Sequence, residues 1–274
     1  MRSFVPTVVL SSEAMGRAKS SQMPRTRALH VIRLARGDIA RVLRCEEALF
    51  RFFPDRDFAL MCDGASDASV VMGVGARDGG ASLVNVALAR QKGIRLIRRF
   101  TGGGTVVVDR DTLFVSFAMS SESVGVDASA TYPRDVMREL GKTYGEVFAR
   151  DREFALREND YVFGDLKFGG NAQAIARGRF LHHTSFLYDY DDENMGLLKT
   201  PTRAPTYRNG RTHDAFVTTL KERGYTREHV FEGVCEAMRE RGFETRELAF
   251  EDVEREAEEA RARATHKWDT TEVL

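Results

Sequence analysis

Apolar and polar residues alternate along Leu29-His30-Val31-Ile32-Arg33-Leu34, the period of a strand with one covered face. Asp38 follows as a helix N-cap. Ile39, Val42, Leu43, Leu49, Phe50 and Phe53 then form a broad apolar face, which predicts a helix ending before Pro54. Phe58–Cys62 and Val70–Val74 read as short strands around an Asp/Gly/Ser turn. Ile94–Arg99, Thr105–Asp109 and Leu113–Met119 read as three more, the last two joined as a hairpin through Asp109-Arg110-Asp111. Pro133–Arg150 predicts a helix, with Pro133 in its first turn and Val136, Met137, Leu140, Tyr144, Val147 and Phe148 at three- and four-residue steps. A second hairpin is expected from Gln173–Ala176 through Arg177-Gly178 to Phe180–Tyr188. Thr226 caps a later helix carrying Val230, Val234 and Met238, and Glu251–Ala264 is a charged helix laced with Glu/Arg pairs. Hairpins rather than βαβ units predict an α+β fold, a mixed or antiparallel sheet flanked by helices.

At 274 residues the chain holds one large domain, or a domain with a small appendage. Residues 1–28 differ from the rest: Arg2, Arg17, Lys19, Arg25 and Arg27 stand against a single acid, Glu13. That composition suits a mitochondrial transit peptide, with a plain flexible extension and a cytoplasmic protein as the alternative. The formal charge is zero, so no global field recruits nucleic acid or an anionic membrane. No apolar stretch reaches the roughly 18–20 residues needed to cross a bilayer. Cys45, Cys62 and Cys235 have neither metal-type spacing nor a disulfide framework, and read as buried small hydrophobes.

The chemistry gathers in three places. Arg98-Arg99-Phe100-Thr101-Gly102-Gly103-Gly104-Thr105 puts two arginines before a glycine run, where backbone N–H groups can approach an anion closely. It matches neither the P-loop nor the dinucleotide fingerprint, because a strand follows it. Strand alternation turns one of the two arginines toward the loop. Gly164–Gly170 holds Lys167 in a glycine-rich turn, where an ammonium could neutralise a phosphate leaving group. His182-His183 lies on the next strand, and its two side chains face opposite ways, so the pair cannot chelate one metal. With little side-chain packing, both glycine segments are expected to order only around a ligand.

The order of these elements resembles the lipoate–protein ligase branch of the biotin/lipoate A/B protein ligase family. They are Arg98–Val106, Asn159-Asp160, Lys167–Gly170 and His182–Leu187, with Glu46-Glu47 at the place of a Glu-Glu pair in the family's first helix. The resemblance runs from about Leu29 to Leu220. It implies the fold of that family's catalytic domain over 29–222, followed by a helical end at 223–274 without a full accessory domain. It also implies site roles. Lys167 would be the catalytic residue at the mixed anhydride. Arg99, Thr101, Gly102, Gly103, Gly104, Thr105 and Val106 would hold the acyl-adenylate. Asp160 and Glu47 would lie near it, Gly170 beside the acyl carbonyl, and His183 with Ser185 at the nucleoside end. The implied reaction activates lipoate with ATP and Mg²⁺. The acyl group then passes to a lysine of an E2 lipoyl domain of a 2-oxoacid dehydrogenase, or of a glycine-cleavage H protein.

The chain departs from the family pattern at Val42, where an asparagine is usual, at Val108–Thr112, and at Gly169, where a serine is usual. Other readings are a transferase using a preformed acyl donor, a biotin ligase, and a non-catalytic acyl-donor-binding protein. No cysteine lies between Cys62 and Cys235, which argues against a thioester route. The Gly-Arg-Gly-Arg-x-Gly-Arg loop of biotin ligases is absent.

Overall fold

The structure is a computed structural model describing residues 27–76, 82–176, 178–199 and 204–273. Nearly all of the N-terminal extension, and Arg177 of the second predicted hairpin, lie outside the described residues.

Strand β1 (Arg27–Leu34) leads into helix α1 (Ile39–Phe52). Asp38 caps α1 by accepting the Arg41 amide at 3.0 Å, satisfying one free N–H of the first turn. The helix stops at Phe53, since Pro54 disfavours helical backbone in the residue before it. Strand β2 (Asp57–Asp63) then runs parallel to β1. Strand β3 (Ser69–Met72), helix α2 (Val86–Gln91) and strand β4 (Arg95–Arg98) repeat the arrangement, with β3 parallel to β4. The expectation of hairpins in place of βαβ units is therefore corrected: two βαβ units open the fold.

Strands β5 (Gly102–Gly103), β6 (Val106–Val108) and β7 (Thr112–Ser120) follow. The segment Asp109–Asp111 is a turn, Asp109 Oδ1 accepting the Asp111 amide at 2.9 Å, but it does not join a hairpin. β6 pairs with β3, whereas β7 pairs with β2 and with β11 (Arg179–Leu187), so the turn passes the chain from one sheet to another. Helix α3 (Pro133–Val147) precedes an antiparallel run of β8 (Phe154–Arg157), β9 (Asp160–Phe163), β10 (Leu166–Ala176) and β11. A short helix α4 (Asp192–Met195) and helix α5 (Arg227–Glu240), capped by Thr226, come next. Strand β12 (Phe243–Leu248), helix α6 (Phe250–Arg263) and strand β13 (Thr271–Glu272) complete the order. The segment beyond 222 thus carries two strands beside its two helices, with β12 parallel to β1 and β13 against β4.

The large sheet runs β12-β1-β2-β7-β11-β10-β9-β8, with β5 added to β10; the small one runs β13-β4-β3-β6. Helices α3 and α5 cover one face of the large sheet through Tyr144, Phe148, Phe168, Phe186 and Val234. The other face packs on α1, α6 and the small sheet through Leu43, Leu49, Ile97, Phe114 and Val253. Mixed sheets flanked by helices are the α+β architecture the sequence predicts. Phe148 sits edge-on to Phe163, Phe168, Phe186 and Tyr225 at 5.1–5.8 Å between centroids. Deleting such a ring costs about 3–5 kcal/mol, so β9, β10 and β11 rest on a stiff layer. Among the described residues no helix is long and apolar enough to cross a membrane.

Candidate functional site

The sequence places Lys167 in a glycine-rich turn; the structure places it on β10, which runs unbroken through Gly169 and Gly170. Strict alternation would send Lys167 and Gly170 to opposite faces. A β-bulge between Lys167 and Gly169 removes that difference: Lys167 lies opposite Val162, Gly169 opposite Tyr161 and Gly170 opposite Asp160. The extra residue, Phe168, drops into the α3-side core and stacks on Phe163 at 4.1 Å. Lys167, Gly170 and Asp160 consequently share one face, the kind of re-aiming bulges perform near sites.

Lys167 Nζ meets Asp160 Oδ1 at 2.7 Å, and the Tyr207 hydroxyl donates to Asp160 Oδ2 at 2.9 Å. The lysine backbone is held from outside the sheet: its N–H donates to Phe216 O and its carbonyl accepts from Thr218, both at 2.9 Å. His213, in the same irregular segment, is kept neutral by burial and then by the nearby charges of Arg208 and Lys167, which lower its pKa. A Cβ on Gly170 would lie 3.4 Å from Lys167 Nζ and 3.8 Å from Ser185 Oγ, so this glycine leaves the ammonium open on that face.

The glycine run is pinned to the same strand. Gly103 lies opposite Ala172 and Gly102 opposite Gln173. Gly103 has φ +133°, and a Cβ there would fall 2.7 Å from Arg99 Nη2 and 2.9 Å from Asn171 O, so only glycine fits. Below it Arg99, 3% exposed, donates to Gly104 O at 2.8 Å and to Val71 O at 3.4 Å. Among the described residues no carboxylate lies within ion-pair distance of Arg99. Burial lowers its pKa to about 10, with Glu46 opposing, so it remains a cation at neutral pH. Arg99 Nε and the hydroxyls of Thr101 and Thr105 are buried without a hydrogen-bond partner. Thr105 and Gly103 line a cleft of about 290 Å³ that continues past Gly73, Gly75 and Leu83. Val106 begins β6 beside it. Backbone pairing to β10 holds Gly102 and Gly103, and the Lys167 segment is held by β9, by the backbone at 216–218 and by the buried Phe168 ring.

His183 is buried on the α1 side, its Nδ1 2.9 and 3.0 Å from the Glu46 oxygens, while Ser116 donates to Glu46 Oε1 at 2.5 Å. Ser185 donates to Gly170 O at 3.4 Å, next to Lys167. The structure does not bring Glu47 to this group. Its oxygens accept the backbone amides of Asp269 and Thr270 at 3.0 and 2.9 Å, and it pairs with Arg51, so it fastens the C-terminal strap to α1. Glu47, His266 and Asp269 bring ligand atoms within 4.8 Å of one another, but those contacts already occupy Glu47. Glu46 is the acid that reaches the site, and the helical phase of Val42, Leu43, Leu49 and Phe50 points to it. Tyr207, Arg208 and His213 carry no sequence signal, because their segment has no period.

The structure thus gathers on an α+β domain a buried guanidinium under a glycine loop and, on the strand that pairs with that loop, an ammonium. The chain belongs to the lipoyl protein ligase A/B catalytic-domain family, whose model matches residues 38–241. It is 29% identical over 164 residues to the inactive lipoate–protein ligase 2 of Plasmodium falciparum, covering 48% of this chain and 42% of that protein. It is 30% identical over 149 residues to a lipoate–protein ligase of Streptococcus pyogenes, covering 53% and 40%. The chain thus spans less than half the length of these curated relatives. Among solved structures it resembles a lipoate–protein ligase A bound with ATP (TM-score 0.68, 20% identity, 89% of this chain and 98% of that one). It also resembles a bipartite lipoate–protein ligase from Thermoplasma acidophilum studied with its E2 lipoyl domain (TM-score 0.69, 21% identity, 88% and 94%). At such identities these two show the fold.

Proposed function

We propose that this chain is a lipoate–protein ligase. It joins lipoate or octanoate to ATP as an acyl-adenylate, then passes the acyl group to a lysine of a lipoyl domain, of either an E2 subunit or a glycine-cleavage H protein. One observation carries the reading: Lys167 Nζ stands 2.7 Å from Asp160 on the open Gly170 face of the strand that also anchors the glycine loop over Arg99. The ATP-bound neighbour supports ATP as the co-substrate, and the neighbour studied with its E2 lipoyl domain supports a lipoyl-domain acceptor.

In the first half-reaction the lipoate carboxylate attacks the α-phosphorus and pyrophosphate leaves. In the second, the acceptor amine attacks the acyl carbonyl, the carbon–oxygen bond to AMP breaks, and the amine loses a proton. Negative charge grows on oxygen in both, and fixed donors that need no reorganisation stabilise it. Lys167 would meet the anhydride. Arg99 Nε with the Thr101 and Thr105 hydroxyls, donors already stripped of water, would meet the phosphate. Magnesium would ride on the nucleotide phosphates, since both Asp160 oxygens are already engaged by Lys167 and the Tyr207 hydroxyl. A cysteine nucleophile lacks support: all three are buried, and burial pushes the Cys45 and Cys235 thiols up and that of Cys62 to about 12. The arginine-rich, acid-poor residues 1–28 support a mitochondrial location.

The Plasmodium relative named inactive keeps a second reading in view, a protein that binds or transfers a preformed acyl donor. ATP–pyrophosphate exchange with lipoate, octanoate and biotin, followed by transfer to an apo lipoyl domain, separates the two. The ligase exchanges with lipoate or octanoate, and Lys167→Ala loses about 10²–10³ in transfer rate. Transfer from supplied lipoyl-adenylate without exchange selects the second reading. Neither reaction overturns the ligase.

A further inference from the structure

We infer that His182 is a positioning residue: through Thr184 and Asn171 it fixes the Asn159-Asp160 turn, and with it the carboxylate that holds Lys167. Only the kinetic arm of its test rests on the ligase reading.

His182 and Thr184 lie on the α3 face of the large sheet, opposite the face that carries Lys167, and both are fully buried. The direction of every hydrogen bond can be followed. Gln173 Nε2 lies 3.3 Å from Pro133 O and 2.7 Å from His182 Nδ1. A carbonyl only accepts, so the Gln173 nitrogen donates in both contacts and His182 Nδ1 must accept. The ring is neutral, since burial, then the adjacent His183, lowers its pKa to about 3. Its proton therefore sits on Nε2, which donates to Thr184 Oγ1 at 3.2 Å. The Thr184 hydroxyl donates to Asn171 Oδ1 at 2.7 Å, and Asn171 Nδ2 donates to Asn159 O at 3.0 Å. The other tautomer would set two donors against each other at Gln173.

The turn at the end of this relay needs a hold. Glu158 adopts φ +52°, a left-handed backbone that a non-glycine residue keeps only when its surroundings enforce it. On the outer side Glu158 Oε1 accepts the Thr206 amide at 2.7 Å and the Tyr207 amide at 3.4 Å. On the sheet side the hold is Asn171. Asp160 follows directly and meets Lys167. None of the hydrogen bonds of His182, Thr184 and Asn171 goes to the lysine, so they act through the turn.

Thr184→Val keeps the side-chain shape and cuts the relay at its middle. Nitrogen NMR of the wild-type protein should show His182 neutral with its proton on Nε2 at pH 7. Lys167 modification by an amine-reactive reagent, read by peptide mass spectrometry, should be about 5-fold faster in Thr184→Val, as expected for one weakened hydrogen bond. In the ligase assay kcat should fall roughly 10–10²-fold, while KM for ATP and lipoate stays within about 2-fold. Thr184→Ser should restore both. If Thr184→Val does not fold, Asn171→Ala cuts the last link from a half-buried position and carries the same expectations. A proton on Nδ1, or unchanged Lys167 reactivity in a folded variant, overturns the proposal. If the wild-type protein shows no ligase activity, the functional reading fails while tautomer and lysine reactivity still decide this one.

Discussion

Gly170→Ala should raise stability while lowering turnover. The residue sits in β10 without left-handed backbone, where any side chain is conformationally acceptable. Replacing such a glycine by alanine stabilises by about 0.4–1 kcal/mol, mainly by restricting the unfolded chain. The added Cβ would lie 3.4 Å from Lys167 Nζ, 3.5 Å from Cε and 3.8 Å from Ser185 Oγ, ordinary contacts that strain nothing. It would nevertheless fill the face from which an acyl carbonyl must approach the ammonium. At about 2–4 °C per kcal/mol, Tm should rise by roughly 1–4 °C. Acyl transfer should slow at least about 10-fold through misplacement of the reacting groups. Gly169→Ala is the control one residue away. Its Cβ would fall 3.0 and 3.2 Å from the Phe186 ring and 3.2 Å from Tyr161 Cβ, inside the packed core. Overpacking there costs about 1–3 kcal/mol, so Tm should drop by several degrees. Calorimetry and transfer to an apo lipoyl domain, run on both variants, give the comparison. A destabilised Gly170→Ala with full activity would refute the assignment of faces that the bulge provides.

Arg99→Met should weaken binding of a non-hydrolysable acyl-adenylate analogue by roughly 10–10²-fold in titration calorimetry, the worth of one charge-assisted contact. Arg98→Ala, on the other side of the strand, should change it little, and the reverse result would shift the strand register by one. The Cys45/Cys62/Cys235→Ser variant should still transfer acyl groups in its folded fraction, and a cysteine thioester detected by mass spectrometry would contradict this. His182 makes stability pH-dependent with a definite sign. Its pKa is lowered from 6.5 to about 3 in the folded protein, so only the unfolded chain gains the proton between those values. Its contribution is full above pH 6.5 and is lost on acidification at up to about 1.4 kcal/mol per pH unit. Urea unfolding from pH 7 to 5 should show a steeper loss for the wild type than for His182→Gln; parallel curves would mean that the native ring accepts the proton.

Elements with a period or a cap were legible in the sequence. Asp38 and Pro54 bracket α1, Pro133 opens α3, and Thr226 caps α5 by accepting the His229 amide at 3.1 Å. Elements whose side chains carry no pattern were not. β5 is two glycines, β8 is half-buried throughout, and β12 (Phe243–Leu248) is a largely polar edge strand whose place depends on pairing with β1, far away in the chain.

The same division runs through the site. Residue type reveals chemistry: an arginine before three glycines, or a lysine among glycines, is readable because few other residues could do that work. Which face a group occupies depends on phase, and phase fails where the strand departs from its period. Lys167 and Gly170 are three apart and would be assigned to opposite faces, yet the single bulged residue Phe168 brings both beside Asp160. What sets that bulge is the core: Phe168 stacks 9° from parallel on Phe163 and nearly parallel to Phe186, and leaving that slot would forfeit a buried ring. The aromatic layer behind the sheet therefore aims the lysine in front of it. Phe168→Ala should then cost activity beyond its effect on stability. The comparison is the transfer rate of the folded variant against that of Phe117→Ala, which empties the same core cluster through a ring that packs on Tyr144 and not on Phe168. Equal losses in the two would mean that the core supports the strand without aiming Lys167.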